Sequence, residues 1–389
     1  MPSVVIHNAT LLAGYAKMER CAILVEGRRI ADVFSERRYA KKAFPSDTLH
    51  YDAQGAYVAP GFIDTHIHGF AGYGTEDMSV DAIMAMSERL GQYGVTSFCP
   101  TLYPMAVEDM DKAIAACVGA MGRETGARIA GLHLEGPFIS AARLGVQKPE
   151  HVRAVDLELM EHFFQVSQGR IVNMTVAPEL KGMRELALYC ISRGIVLQAG
   201  HTDATYENML EGMQAGILHA THFFNAMSRL HHRDPGAVGA ILIHPELSCE
   251  IIADGRHVHP DLIRLLMRDK PQDKVVLVTD GLRATAQEGC VLYANNEEVE
   301  LVDGLFQRKK DGVIAGSALT MIRGVANLVD WGVPVETAVQ FASSNPAQIM
   351  QLGKRGRLVP GHEADIVVFG KDFSVIACMR GGAFLKNDL

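Results

Sequence analysis

The feature that most restricts the fold is an alternation. Eight short apolar runs recur between residues 57 and 280, most of them separated by amphipathic stretches. The runs cover residues 57–68, 95–101, 128–136, 171–179, 195–202, 220–224, 248–254 and 275–280. Helical spacing of apolar residues marks 80–93, 105–121, 180–193 and 204–215. Near-continuous apolar strands are buried on both faces, as in parallel sheets covered by helices. Eight such strands alternating with helices over about 300 residues predict a (β/α)8 barrel. The competing doubly wound open sheet would want a Gly-rich phosphate or dinucleotide turn after an early strand, and none is present.

Short β-rich pieces lie outside this core, at residues 4–6, 21–26 and 29–34 and again at 365–369 and 374–379. Neither end is long enough to build a core alone, so the two are expected to pair. The expectation is an α/β chain: a (β/α)8 TIM-type barrel with a small β-sandwich domain built from both termini. The small domain takes residues 1–56 and 354–389, and the barrel 57–353. Residues 290–314, punctuated by Asn295-Asn296, Asp303-Gly304 and Asp311-Gly312, read as hairpins inserted after the eighth strand. They serve either as a flap near the site or as a purely structural insertion.

Composition narrows the class further. With 48% hydrophobic and 21% charged residues, the 389-residue chain has the balance of a soluble enzyme. A net charge of −8 argues against a nucleic-acid partner. No apolar run approaches the roughly 20 residues of a membrane span, and the Met-Pro-Ser-Val-Val-Ile-His start lacks a signal-peptide core. The seven cysteines, Cys21, Cys99, Cys117, Cys190, Cys249, Cys290 and Cys378, are scattered without a CxxC and read as buried reduced thiols. A cytoplasmic protein is expected.

Barrel active sites form at the C-terminal ends of the strands. Those ends carry His66 and His68 (first strand), Glu135 (third), His201 (fifth), His222 (sixth) and Asp280 (eighth). Positions i and i+2 of a strand face one side, so His66 and His68 are expected to share a site. Glu135, His201 and His222 offer the oxygen and nitrogen donors that zinc or a similar divalent ion accepts. Such an ion lowers the pKa of bound water toward ~7. Asp280, at the end of Val-Val-Leu-Val-Thr-Asp, is placed to take and return a proton; the competing reading is a turn or cap residue. His133, one pleat deeper than Glu135, is expected to support rather than ligate, and His219 to face away from His222. His257 follows the seventh strand and is expected to hang over the site.

The motifs resemble the N-acetylglucosamine-6-phosphate deacetylases of the amidohydrolase superfamily, nearly end to end. The resemblance rests on residues 60–69 (PGFIDTHIHG), 131–138 (GLHLEGPF), 200–205 (GHTDAT), 221–227 (THFFNAM), 252–258 (IADGRHV), 278–280 (VTD) and 316–321 (GSALTM). It implies hydrolysis of the acetamide of an N-acetyl-hexosamine 6-phosphate, giving the amino sugar phosphate and acetate. It implies metal ligation by Glu135, His201 and His222, with Asp280 as general base and acid. His66 and His68 allow a second metal bridged by Glu135. The cofactor is then one or two divalent ions, zinc first among them, with iron, manganese, cobalt and nickel as alternatives. Substrate contacts are implied at Asn225, Ala226, Arg233, Asp254, Gly255, Arg256, His257, Ile314, Ala315 and Gly316. Arg233 would clamp the phosphate of the neighbouring subunit's substrate, which implies a homodimer.

One segment departs from the family pattern. The family usually has Gly-Ala-His-Asn-Pro-Glu where this chain has Gly145-Val-Gln-Lys-Pro-Glu150. Gln147, with Val146 before it, therefore stands at a substrate-contacting histidine position, and a Gln cannot become a cation. N-acetylgalactosamine 6-phosphate is accordingly a rival substrate. Another amidohydrolase reaction is the second alternative, although the fourth run (residues 171–179) lacks the Lys that many cyclic-amide hydrolases carbamylate. A non-catalytic member is the third.

Overall fold

The four apolar residues of strand Ile366–Phe369 alternate between two cores, and this joins the two parts of the molecule. Ile366 and Val368 pack with Ile6, Ile23, Val25 and Val58 in one apolar cluster, while Val367 and Phe369 join the large cluster of the barrel. The computed structural model describes residues 2–14, 16–287 and 291–389; Cys290 lies outside the described residues. The other six cysteines are free and buried.

Both ends of the chain build one eight-stranded sheet. Tyr57–Pro60 pairs in parallel with Val4–Leu12 and antiparallel with Ile366–Phe369, so N- and C-terminal pieces meet at its centre. The single strand expected over residues 57–68 is thus divided. Tyr57–Pro60 belongs to this sheet, and the chain enters the barrel only at Phe62. The handover falls at Gly61, where a Cβ would lie 2.2 Å from Thr96 Oγ1, so no larger residue fits there.

The barrel strands are β1 (Phe62–Ile67), β2 (Val95–Leu102), β3 (Leu132–Glu135), β4 (Ile171–Val176), β5 (Val196–Ala199), β6 (His219–Ala220), β7 (Ser248–Ile252) and β8 (Val275–Val278). Each pairs in parallel with the next. The ring closes through one parallel bridge between Ile67 and Gly281, beyond the end of β8. There the Asp280 N–H donates to the His66 carbonyl at 2.9 Å. Closing the barrel therefore also sets Asp280 beside the histidine pair.

The covering helices follow the expected periodicity. On Val80–Gly91 the residues Ile83, Met86 and Leu90 are buried, a spacing of three and four along one face. Each such side chain contributes roughly 1.5–3 kcal/mol over an exposed one. Leu157–Val166 is capped by Asp156, whose carboxylate accepts from the Leu159 N–H at 3.0 Å. Tyr206–Gln214 starts with a reciprocal box between Thr205 and Asn208. Residues 291–317 carry a four-stranded antiparallel sheet of Leu292–Ala294, Glu297–Val302, Leu305–Arg308 and Ile314–Ser317. Its last strand brings residues 314–316 over the barrel mouth. Among the described residues no helix is long and apolar enough to cross a membrane.

Candidate active site

Three strands stop short of the residues they were expected to carry. β5 ends at Ala199, β6 at Ala220 and β8 at Val278, leaving His201, His222 and Asp280 two residues beyond. All three have left-handed backbone, with φ of 45°, 25° and 48°. Non-glycine residues rarely adopt this conformation, at a cost of order 1–3 kcal/mol each, and it concentrates at functional sites. Strand alternation alone would turn His222 away from the face that His219 and Thr221 occupy. The left-handed turn returns it to the interior. His219 does not face away, as expected, but points inward one layer below, with Nδ1 2.7 Å from Ser248 Oγ and Nε2 3.9 Å from Glu250.

The donors converge on Glu135. Its Oε1 lies 3.1 Å from His201 Nε2, 3.1 Å from His222 Nε2 and 3.3 Å from His66 Nε2, and its Oε2 lies 3.3 Å from His68 Nε2. Asp280 Oδ1 is 3.5 Å from Nε2 of both His66 and His68. Two groups of three donors result, His66–His68–Asp280 and Glu135–His201–His222, each within 4.8 Å. All six residues except Asp280 have side chains under 7% exposed; Asp280 has 13%.

Hydrogen bonds at the far side of the rings fix which nitrogen faces inward. His201 Nδ1 donates to the Arg143 carbonyl at 2.9 Å, and His66 Nδ1 donates to the Glu250 carboxylate at 2.9 Å. As neutral rings, both then aim Nε2 lone pairs at carboxylate oxygens, and the Nε2 atoms of His201 and His222 stand 3.2 Å apart. Acceptors facing acceptors in a buried site need a cation between them, so the donor set fits a divalent metal. Without one, protons fill that role. Burial pulls His66 down, but Glu250 and Asp280 outweigh it and hold the ring well above the usual histidine range. Burial alone would raise Glu135, yet His201 and the hydrogen bonds of the three rings hold it well below the carboxylate range.

Glu250 was not singled out from the sequence. It is fully buried on β7, and its oxygens accept from His66 Nδ1, Gln198 Nε2 (2.6 Å) and the His222 backbone N–H (3.2 Å). Burial opposes its charge, but His66 and His219 hold it ionised, down to about 2. A lone carboxylate inside the apolar run Ser-Cys-Glu-Ile-Ile was the available signal. Tyr103 was also missed: just past β2, it stacks on His68 with ring centroids 3.7 Å apart and planes 8° from parallel. His133, expected to support rather than ligate, lies with its ring nitrogens 3.1 Å from Thr101 Oγ1 and 2.9 Å from Thr175 Oγ1.

A cavity of about 430 Å3 opens above these groups, within the ~300–1,000 Å3 range of small-molecule sites. Its walls include Val146, Gln147, Asn225, Ala226, His257, Ile314, Ala315 and Gly316. Gln147 Nε2 donates to Glu135 Oε2 at 2.6 Å, while its buried Oε1 has no partner among the described residues. Asp254, Gly255 and Arg256 do not line the cavity. Asp254 instead accepts from the Arg256 and His257 N–H groups, both at 2.8 Å, and pairs with His257 Nδ1 at 2.6 Å. Gly255 has φ of +74° and lies against Trp331, where a Cβ would come 3.2 Å from the ring. Arg233 is exposed and lies outside this chain's cavity.

Asp64, below the metal-type groups, yields a pH test. Burial pushes its carboxyl up to about 7, against hydrogen bonds from the Thr279 hydroxyl (2.6 Å) and backbone N–H. A folded-state pKa above the unfolded value of 3.8 gives stability that is fully present below that value and lost as pH rises through about 7. Asp64→Asn should remove that part of the decline between pH 4 and pH 7. Urea unfolding across that range checks it; parallel wild-type and variant curves would refute it.

A closed parallel barrel with two histidine–carboxylate clusters at its mouth defines a barrel hydrolase in architecture. Residues 57–385 match the amidohydrolase family model. An N-acetylglucosamine-6-phosphate deacetylase of Bacillus subtilis (strain 168) is 33% identical over 400 aligned residues, spanning 99% of this chain and 96% of that protein. An N-acetylgalactosamine-6-phosphate deacetylase of Escherichia coli O157:H7 is 30% identical, spanning 86% and 89%. The crystal structure of N-acetylglucosamine-6-phosphate deacetylase from Pasteurella multocida has a TM-score of 0.91 at 29% identity, covering 99% of this chain and all of that one. The chain belongs to the amidohydrolase family and, within it, to the N-acetylglucosamine-6-phosphate deacetylase family.

Proposed function

We propose that the protein removes the acetyl group from N-acetylglucosamine 6-phosphate, giving glucosamine 6-phosphate and acetate, with the help of a divalent metal. The observation that carries this reading is the convergence of His66, His201 and His222 on Glu135 Oε1, beneath a cavity that Asp280 also lines. Glu135, His201 and His222 would hold one ion, and His66 and His68, sharing Glu135, would hold a second. Zinc is the ion we propose. Bound there, the metal would polarise the acetyl carbonyl and acidify the attacking water.

The chain's own groups supply the rest. Asp280 takes a proton from the water that attacks the acetyl carbon, then delivers it to the leaving nitrogen as the C–N bond breaks. Asp254 holds His257 by Nδ1, which leaves Nε2 free toward the sugar. The unpartnered Gln147 Oε1 accepts a hydrogen bond from substrate, while Nε2 keeps Glu135 oriented. Gln147→Ala should therefore lower kcat/KM by about tenfold or more, the scale of one lost hydrogen bond to a charged group; an unchanged kcat/KM would remove Gln147 from the site. Arg233, exposed in the single chain, would reach the partner's substrate phosphate in a cytoplasmic homodimer.

The second reading, N-acetylgalactosamine 6-phosphate, is favoured by one observation: a neutral Gln147 lines the cavity where the family usually has His. Acetate release from both N-acetyl-hexosamines, each with and without its 6-phosphate, separates the two. The account expects the N-acetylglucosamine epimer to be the better substrate and loss of the phosphate to abolish most of the rate. Equal rates with and without phosphate would contradict the role given to Arg233.

A further inference from the structure

A second cavity lies at the opposite end of the barrel from Asp280, and it is built from arginines. It has a volume of about 580 Å3 and lies where the start of β4 and the short strand Arg128–Ile129 face two turns of the terminal sheet. Its lining includes Arg28, Arg128, Arg170 and Arg380 against a single carboxylate, Glu124. Glu124 is already engaged, accepting the Ile129 N–H at 3.1 Å.

An ion-pair network between the two parts of the fold explains only some of this charge. Arg128 pairs with Asp365 at 3.2 Å, and Arg28 and Arg128 share Glu363 at 3.5 and 3.8 Å. Arg380 finds only the Glu124 backbone carbonyl, at 2.9 Å, and Arg170 has no side-chain hydrogen bond or ion pair among the described residues. The Nη2 atoms of Arg28 and Arg128 both come 3.7 Å from the position a Cβ on Gly381 would take. Guanidinium groups brought together beside one cavity repel each other. Burial and the neighbouring Arg128 draw Arg380 below the usual arginine range. The four lining guanidiniums outnumber Glu124, Glu363 and Asp365 by one, so in a chain of net charge −8 this cavity is locally positive and suits an anion.

We infer that this cavity binds a small phosphate monoester, with Arg28 and Arg380 from the terminal sheet and Arg128 and Arg170 from the barrel contributing forked donors to its oxygens. The volume suits a sugar phosphate. Because the donors come from both parts of the fold, binding clamps the sheet to the barrel and raises the melting temperature.

The test uses the metal-loaded full chain, titrated calorimetrically with ribose 5-phosphate, inorganic phosphate and citrate. The wild type is compared with Arg28→Ala/Arg170→Ala, a variant that alters two exposed side chains and leaves the barrel mouth intact. The inference expects a ribose 5-phosphate site in the wild type that weakens at least about tenfold in the variant, the loss expected when forked donors are removed. Inorganic phosphate should bind the same site and citrate more weakly, and the rise in melting temperature with ribose 5-phosphate should shrink in the variant. Unchanged melting temperature and metal content without ligand show that the variant is folded. Identical isotherms for the two proteins would overturn the inference. So would citrate binding as tightly as ribose 5-phosphate, which would mark an unselective basic patch. Arg170→Glu gives an independent check, since reversing one charge at the rim should abolish the same binding event.

Discussion

Asp280→Asn should leave the protein folded and metal-loaded while lowering kcat by roughly 10²–10⁴-fold, the contribution of a positioned acid–base group. The variant isolates the proton because little else changes. The Asp280 backbone N–H still closes the barrel on the His66 carbonyl, and Asn tolerates the left-handed φ of 48° better than most residues. The amide keeps the shape of the carboxylate but cannot take a proton from water and return it to the leaving nitrogen. Steady-state kinetics with elemental analysis of the same preparation check this. Near-normal kcat with full metal content would exclude Asp280 as the acid–base group.

Glu135→Gln should act on the metal itself. Among the described residues the carboxylate is the one group within 3.3 Å of Nε2 of all four histidines, counting both oxygens. A neutral amide there gives a metal no charge compensation, and its NH2 group would confront imidazole nitrogens now aimed at an oxygen. Metal affinity should fall by more than the roughly 10–100-fold typical of losing an outer partner of a ligand. Activity should fall with it. The wild type should also melt higher with metal than without, by linkage of binding to folding, and this difference should collapse in the variant. Dialysis against a metal buffer, followed by elemental analysis and calorimetry, reads both. Stoichiometric metal in Glu135→Gln would contradict the assignment.

These expectations rest on residues with very unequal signals in the sequence. His66, His68 and Glu135 end apolar runs, and a carboxylate or imidazole in that position announces itself against hydrophobic neighbours. His201, His222 and Asp280 were legible by the same rule, yet the reason they converge was not. Each lies beyond its strand, and a left-handed backbone torsion, which no side-chain pattern encodes, turns it inward. Glu250 was hidden because its role depends on β7 standing beside the β1 histidine across the barrel, a contact between residues 184 positions apart. Tyr103 was hidden because an aromatic residue after an apolar strand reads as ordinary core. The alternation made the barrel visible, but the division of residues 57–68 at Gly61 was not. Tyr57–Pro60 is as apolar as the strand that follows, and only its pairing with Ile366–Phe369 assigns it to the other sheet.

The most direct test is acetate release from N-acetylglucosamine 6-phosphate by the purified protein, measured as isolated, after chelation, and after zinc is restored. The account predicts turnover, its loss on chelation, and its recovery with zinc in proportion to the metal bound. Full turnover by a preparation shown by elemental analysis to be free of metal would contradict it.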